Sequence, residues 1–118
     1  MSFDEEIERI YLNAKNPNDI LDKLEKVLTC YPKEHKLLVG LRASYLKQRL
    51  ILEERIDKYE HDEVACGCCI ALDNIYGYFE CRICPLAGPC FHRGKHSDKH
   101  NLKAVYKAYM KEHKKFEK

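Results

Sequence analysis

Between Cys66 and Cys90 the chain reads CGCCIALDNIYGYFECRICPLAGPC, which places six of its seven cysteines within 25 consecutive residues. Two C-x-x-C pairs, Cys66/Cys69 and Cys81/Cys84, are separated by eleven residues. A C-x-x-C turn lets two sulfurs reach one ion while backbone amides bond to them, and two such turns together complete a tetrahedron. Thiolates suit zinc, a borderline-soft ion. The spacing therefore predicts a four-thiolate zinc site with Cys66, Cys69, Cys81 and Cys84 as ligands. Such a site has no open position, so its role is structural.

Spare donors leave the ligand set open. Cys68 could replace Cys66 or Cys69, Cys90 could displace a member of the first pair, and His92 could join Cys90. A second ion on Cys68, Cys90, His92 and His96 is a further arrangement, while a buried packing thiol is the plain alternative for Cys90. The same thiolates could hold an iron–sulfur cluster. A redox dithiol calls for a βαβ surround, which the sequence lacks. Cys30 stands apart in LEKVLTCYP, where it reads as a small buried hydrophobe.

The rest of the chain is helical in pattern. Its 118 residues suffice for one domain, or for a helical domain carrying a small metal-held module. Phe3, Ile7, Ile10, Tyr11 and Ala14 recur with a 3.6-residue period, predicting a first helix over 3–14. Asn16-Pro17-Asn18 breaks it. A second helix, capped by Asn18 or Asp19, carries Ile20, Leu21, Leu24, Val27 and Leu28 on one face and ends at Tyr31-Pro32. A third is predicted from about Lys33 to about His61. Leu37, Leu38, Leu41, Tyr45, Leu46, Leu50, Leu52 and Ile56 make it apolar over much of its circumference, so it must be covered on more than one side. The flanking helices could do this, or a second copy of the chain could, through residues 37–56. Gly40 costs the helix about 1 kcal/mol relative to alanine and would permit a close helix contact.

From Glu63 to His96 the character changes, with four of the five glycines and two of the four prolines. Ile70-Ala71-Leu72, a turn at Asp73-Asn74, and Ile75-Tyr76-Gly77-Tyr78-Phe79 read as a short β-hairpin that a metal at its base would stabilise. A last helix is predicted from Ser97, with Ser97 or Asp98 as its cap. Leu102, Val105, Tyr106, Tyr109, Met110, His113 and Phe116 form its apolar face. Lys99, Lys103, Lys107 and Lys111 recur every four residues as a basic ridge, extended by Lys114, Lys115 and Lys118. The expected fold is mainly α: an N-terminal three-helix unit over 1–62, a zinc-bound β-hairpin module over 63–96 and a basic amphipathic helix over 97–118.

The string Cys66-x-x-Cys69, then Cys81-x-x-Cys84-Pro85-Leu86, then Cys90, resembles small, mostly uncharacterised bacteriophage proteins with a CxxC…CxxCPL…C zinc-knuckle core followed by a helix. The resemblance covers about residues 64–92. It implies Cys66, Cys69, Cys81 and Cys84 as metal-knuckle positions, Cys90 as the trailing cysteine, and a phage or mobile-element origin. The chain departs from the pattern in its extra Cys68 and in HRGKHSDKH.

Charge narrows the partners. The formal net charge is +2, but residues 1–62 carry 11 Lys/Arg against 13 Asp/Glu, and residues 63–118 carry 10 against 6. An anionic partner is thus directed to the C-terminal half. The first expectation is a non-enzymatic accessory factor binding nucleic acid, with Arg93, Lys95, Lys99, Lys103, Lys107 and Lys111 along the phosphates. Tyr76, Tyr78 and Phe79 are candidates to stack on unpaired bases. The second is an inhibitor or adaptor binding a host protein through the apolar third helix. The third is a metal-dependent nuclease on His92, His96, His100 and Asn101, similar to His-Me finger enzymes. No run of about 18 apolar residues is present, so no membrane span is expected. MSFDEEIERI lacks the character of a secretory signal, which suggests the cytoplasm (the host's, if the chain is phage-encoded). There, dense thiols more often mean metal than disulfides.

Overall fold

The computed structural model describes residues 3–57, 67–77 and 98–116. All regular structure among them is helical: α1 (Phe3–Asn13), α2 (Pro17–Thr29), α3 (Lys33–Leu52), α4 (Gly67–Tyr76) and α5 (Asp98–His113), the last followed by a 3-10 turn (Lys114–Phe116). The helix α3 is the hub. α4 and α5 pack on it most extensively, and α1 and α2 complete its cover.

Local chemistry explains most boundaries. Asp4, Glu5 and Glu6 occupy the first turn of α1, where negative charge meets the positive end of the helix dipole. α2 starts earlier than its predicted cap at Asn18 or Asp19. Asn16 is the cap, accepting a 2.9 Å hydrogen bond from the Asp19 amide, and Pro17 opens the helix where its missing N–H costs nothing. The Asp19 carboxylate in turn accepts from the Lys15 amide and pairs with Lys23 at 3.2 Å. These contacts, that with Lys23 first, hold its carboxyl below the usual range.

The α3 helix stops at Leu52, about nine residues short of the prediction. The amide of Glu54 donates to the Ile51 carbonyl (3.1 Å) and that of Arg55 to the Leu50 carbonyl (2.9 Å). Glu54 sits at φ 57°. This is a Schellman ending with glutamate in the left-handed position that usually belongs to glycine. Periodicity could not reveal it, because the apolar pattern continues to Ile56, which folds back against the core.

The largest correction concerns the predicted hairpin. Ile70, Ala71, Leu72, Asp73, Asn74, Ile75 and Tyr76 lie in α4, not in two strands and a turn. A short apolar run does not distinguish strand from helix by period, and here tertiary packing decides. Ile70 and Ala71 join Ile7, Ile20, Leu28, Leu46 and Leu50 in the main core. Cys68 and Leu72 join Leu41 and Val105 in a second cluster between α3 and α5. Consecutive residues thus serve two clusters, which a strand buried on one face would not achieve. Gly77 closes α4 at φ 83°, its amide bonding the Asp73 carbonyl at 2.7 Å, a conformation glycine adopts without strain. Tyr78 and Phe79, and the boundaries near residues 62 and 96, lie outside the described residues.

Candidate functional site

The side chains that could do chemistry fall into two groups, one at the start of α4 and one on α5, both packed on the α3 hub. The first is the start of α4. A Cβ on Gly67 would come within 2.4 Å of the Gly40 carbonyl oxygen and 2.7 Å of the Ala43 Cβ. A Cβ on Gly40 would lie 2.5 Å from the Ala71 Cβ. The close contact expected of Gly40 is therefore present, and its partner is the glycine inside the first C-x-x-C. Ser44, fully buried, completes the joint: the Cys68 amide donates to Ser44 Oγ at 3.0 Å, and Ser44 donates onward to the Gly40 carbonyl at 3.1 Å. One of the orphan amides at the start of α4 is thus satisfied from a neighbouring helix. Lys36 Nζ bonds Asn74 Oδ1 at 2.5 Å further along.

This joint orders the cysteines it touches. Cys68 is sealed among Leu41, Leu72 and Val105, the environment of a small core hydrophobe. Cys69 is half-buried beside the same cluster. Cys66, Cys81, Cys84, Cys90 and His92 lie outside the described residues, as does His96. Among the described residues no three His, Cys, Asp or Glu side chains gather as a metal would require. Of the predicted quartet, Cys69 is the member described, and it lies in the first turn of α4. Cys30 departs from its expected burial. It is exposed at the end of α2, its thiol donating to the Lys26 carbonyl at 3.4 Å.

The second group is on α5. Val105 is buried, and Ala108 and Tyr109 pack beside it on the second cluster. Lys103, Lys107, Lys111 and Lys114 are exposed. They turn away from the hub because the 3.6-residue period places them opposite Val105. No ion pair with a described residue engages any of these four, whereas Lys115 pairs with Glu112 at 2.9 Å. Lys99 falls in the first turn of α5, and Arg93 and Lys95 lie outside the described residues. Tyr106, predicted on the apolar face, is instead 48% exposed beside Lys103 and Lys107. It leans on Tyr45 of α3, ring centroids 5.6 Å apart. Of the hairpin aromatics, Tyr76 stands at the end of α4, 47% exposed, with Lys33 Nζ 5.8 Å above its ring.

Beneath this surface the cations are spoken for. Arg42 makes a two-pronged contact with Asp4, through Nε at 2.7 Å and through Nη2, and lies 5.4 Å and 5.1 Å from the rings of Tyr45 and Tyr109. The carboxylate holds the guanidinium more firmly protonated than usual. Arg49 and Arg55 share Glu8 and Glu53.

The apolar stripe proposed as a dimer or partner surface, residues 37–56, is largely used within the chain. Leu41, Leu46, Leu50 and Ser44 are fully buried, Lys47 and Gln48 are buried, and Leu52 is partly open. The buried part of the stripe is closed to a host protein or a second copy of the chain, while Leu37, Leu38, Tyr45 and Ile56 are half-buried. Among the described residues no helix is long and apolar enough to cross a membrane. Comparison with known protein families, curated proteins and solved structures finds no match to this chain.

Proposed function

We propose that the protein is a non-enzymatic nucleic-acid-binding factor that engages phosphates through the outer face of α5. One observation carries the reading. Lys103, Lys107 and Lys111 are exposed on successive turns and have no ion-pair partner among the described residues. Charges that the fold does not compensate remain available to an external polyanion. Successive lysines rise about 6 Å along the helix axis, a step matching the distance between neighbouring phosphates along a strand. Arg93, Lys95 and Lys99 precede them in sequence and would lengthen the track.

In the same reading the cysteine segment is a structural zinc site. Cys66, Cys69, Cys81 and Cys84 would hold the ion, which would supply cross-linking and no open coordination position. Its support is the thiolate spacing together with the placement of Cys69. The Gly40–Gly67 joint would then tie the metal-bearing segment to the hub that carries α5.

Salt-dependent binding to a labelled oligonucleotide tests the function. Neutralising Lys103, Lys107 and Lys111 together should lower the slope of log affinity against log salt by about 2, since each single-strand phosphate contact contributes about 0.7. A slope unchanged in the triple variant would overturn the reading. For the metal, one zinc per chain by elemental analysis is expected, with loss of helicity on chelation.

A further inference from the structure

A lysine row alone attracts any polyanion. An exposed ring within it is a different kind of feature, because it gains nothing from phosphate and much from a base. Tyr106 is such a ring. It follows Lys103 by three positions, a spacing that makes the two neighbours on the helix surface, and directly precedes Lys107 in sequence. Nearly half of its surface is open, although the 3.6-residue pattern of α5 would have put it inward.

What lies under Tyr106 makes it a firm platform. Tyr45 supports it at 5.6 Å with the rings tilted by 48°. Tyr45 is itself held between Arg42 at 5.4 Å and Arg49 at 6.0 Å. Arg42 is anchored by Asp4, and Arg49 by Glu8 and Glu53. A supported ring loses little conformational freedom on binding, and the cost of ordering is what usually erodes a surface contact.

On the nucleic-acid reading above, on which this rests, we infer that α5 takes an unpaired strand in preference to a duplex, with a base stacked on Tyr106 and the flanking phosphates on Lys103, Lys107 and Lys111. In a duplex each base already stacks on its neighbours, so its flat faces are closed to Tyr106. In a single strand they are open, and every base has one, so stacking is tolerant of sequence. Phosphate contacts set position and stacking sets the preference for unpaired strands.

The experiment is fluorescence anisotropy of the full chain with labelled oligothymidine, oligouridine and a mixed-sequence duplex of equal length. Single strands should bind more tightly than the duplex; the first two probes show whether DNA or RNA is the better strand. Tyr106→Ala should weaken single-strand binding by about fivefold or more, leave duplex binding within about twofold, and be rescued by Tyr106→Phe. Circular dichroism of Tyr106→Ala should match the parent. A second readout does not depend on that variant folding. The chain has no tryptophan, so the emission of Tyr106→Trp reports this site alone and should be quenched by single strands. Equal affinity for strand and duplex, or binding without quenching, would overturn the strand preference while a lysine-dependent salt slope kept the nucleic-acid reading. No binding to any probe at low salt would overturn both.

Discussion

The basic residues of α3 and those of α5 lie on adjoining helices, yet the fold treats them differently. On α3, Arg42 is paired with Asp4 and Arg49 with Glu8 and Glu53, each guanidinium also resting near an aromatic ring. On α5, Lys103, Lys107 and Lys111, and Lys114 in the 3-10 turn that follows, are exposed with no ion pair among the described residues. Arginine suits the first role because its planar fork matches carboxylates and stacks on rings, whereas lysine is a mobile, strongly hydrated point charge. Compensated charge holds helices together, whereas these lysines have no such role among the described residues.

If that contrast is right, substitutions beneath the surface should change stability, and those on α5 should change binding. The largest effect is expected at the joint between α3 and α4. Gly67→Ala gains at most about 1 kcal/mol of helix propensity. It drives a methyl group into the Gly40 carbonyl, which belongs to a helical backbone and cannot swing aside. The net loss should be about 3 kcal/mol or more, seen as a fall in Tm of roughly 10 °C. Ser44→Ala should cost about 1–3 kcal/mol, because the buried Cys68 amide loses its acceptor.

The sharpest comparison is between two cations. Arg42→Ala should lower stability by about 1.5 kcal/mol, a figure kept small because Asp4 is nearly half exposed. It should leave the salt slope of oligonucleotide binding unchanged. Lys107→Ala should do the reverse, with stability within about 0.5 kcal/mol of the parent and a slope reduced by about 0.7. Equal behaviour of the two variants in both assays would dissolve the distinction.

Two smaller effects refine the picture. Glu54→Gly should raise stability by about 0.5–1 kcal/mol, by relieving the left-handed backbone at the end of α3. At Asp19 the folded carboxyl titrates below its usual value, so its stabilising effect is present above that value and is lost as pH falls through the folded one. Lys23→Ala should move the Asp19 titration upward by NMR, with little change in melting because the pair is exposed.

How far the chain was legible depends on where each element's information resides. The helices α1, α2 and α5 are readable because their apolar residues recur at a 3.6-residue period along one face. Gly40 was readable as a point of close approach, but Gly67 was hidden inside a C-x-x-C whose cysteines drew attention to metal. The small residues Gly40, Ala43 and Ser44, spaced three and four apart, were the signal that α3 offered a close-packing face. Cys30 is exposed despite its apolar neighbours, because those lie on α2's inner face and Cys30 caps the helix after Thr29.

The sequence by itself determined that the chain is mainly helical, that its C-terminal half is basic and that its thiols are clustered. Those are properties of composition and local period. Only the tertiary structure decided that Ile70 to Tyr76 is a helix, that Cys68 is enclosed in the core, and that Tyr106 stands outside with the lysines. Each of these depends on partners distant in the chain: Gly40 and Ser44 for α4, Leu41 and Val105 for Cys68, Tyr45 for Tyr106. A local pattern can state what a segment prefers. Which of its faces finds a neighbour is settled by packing between segments far apart in sequence.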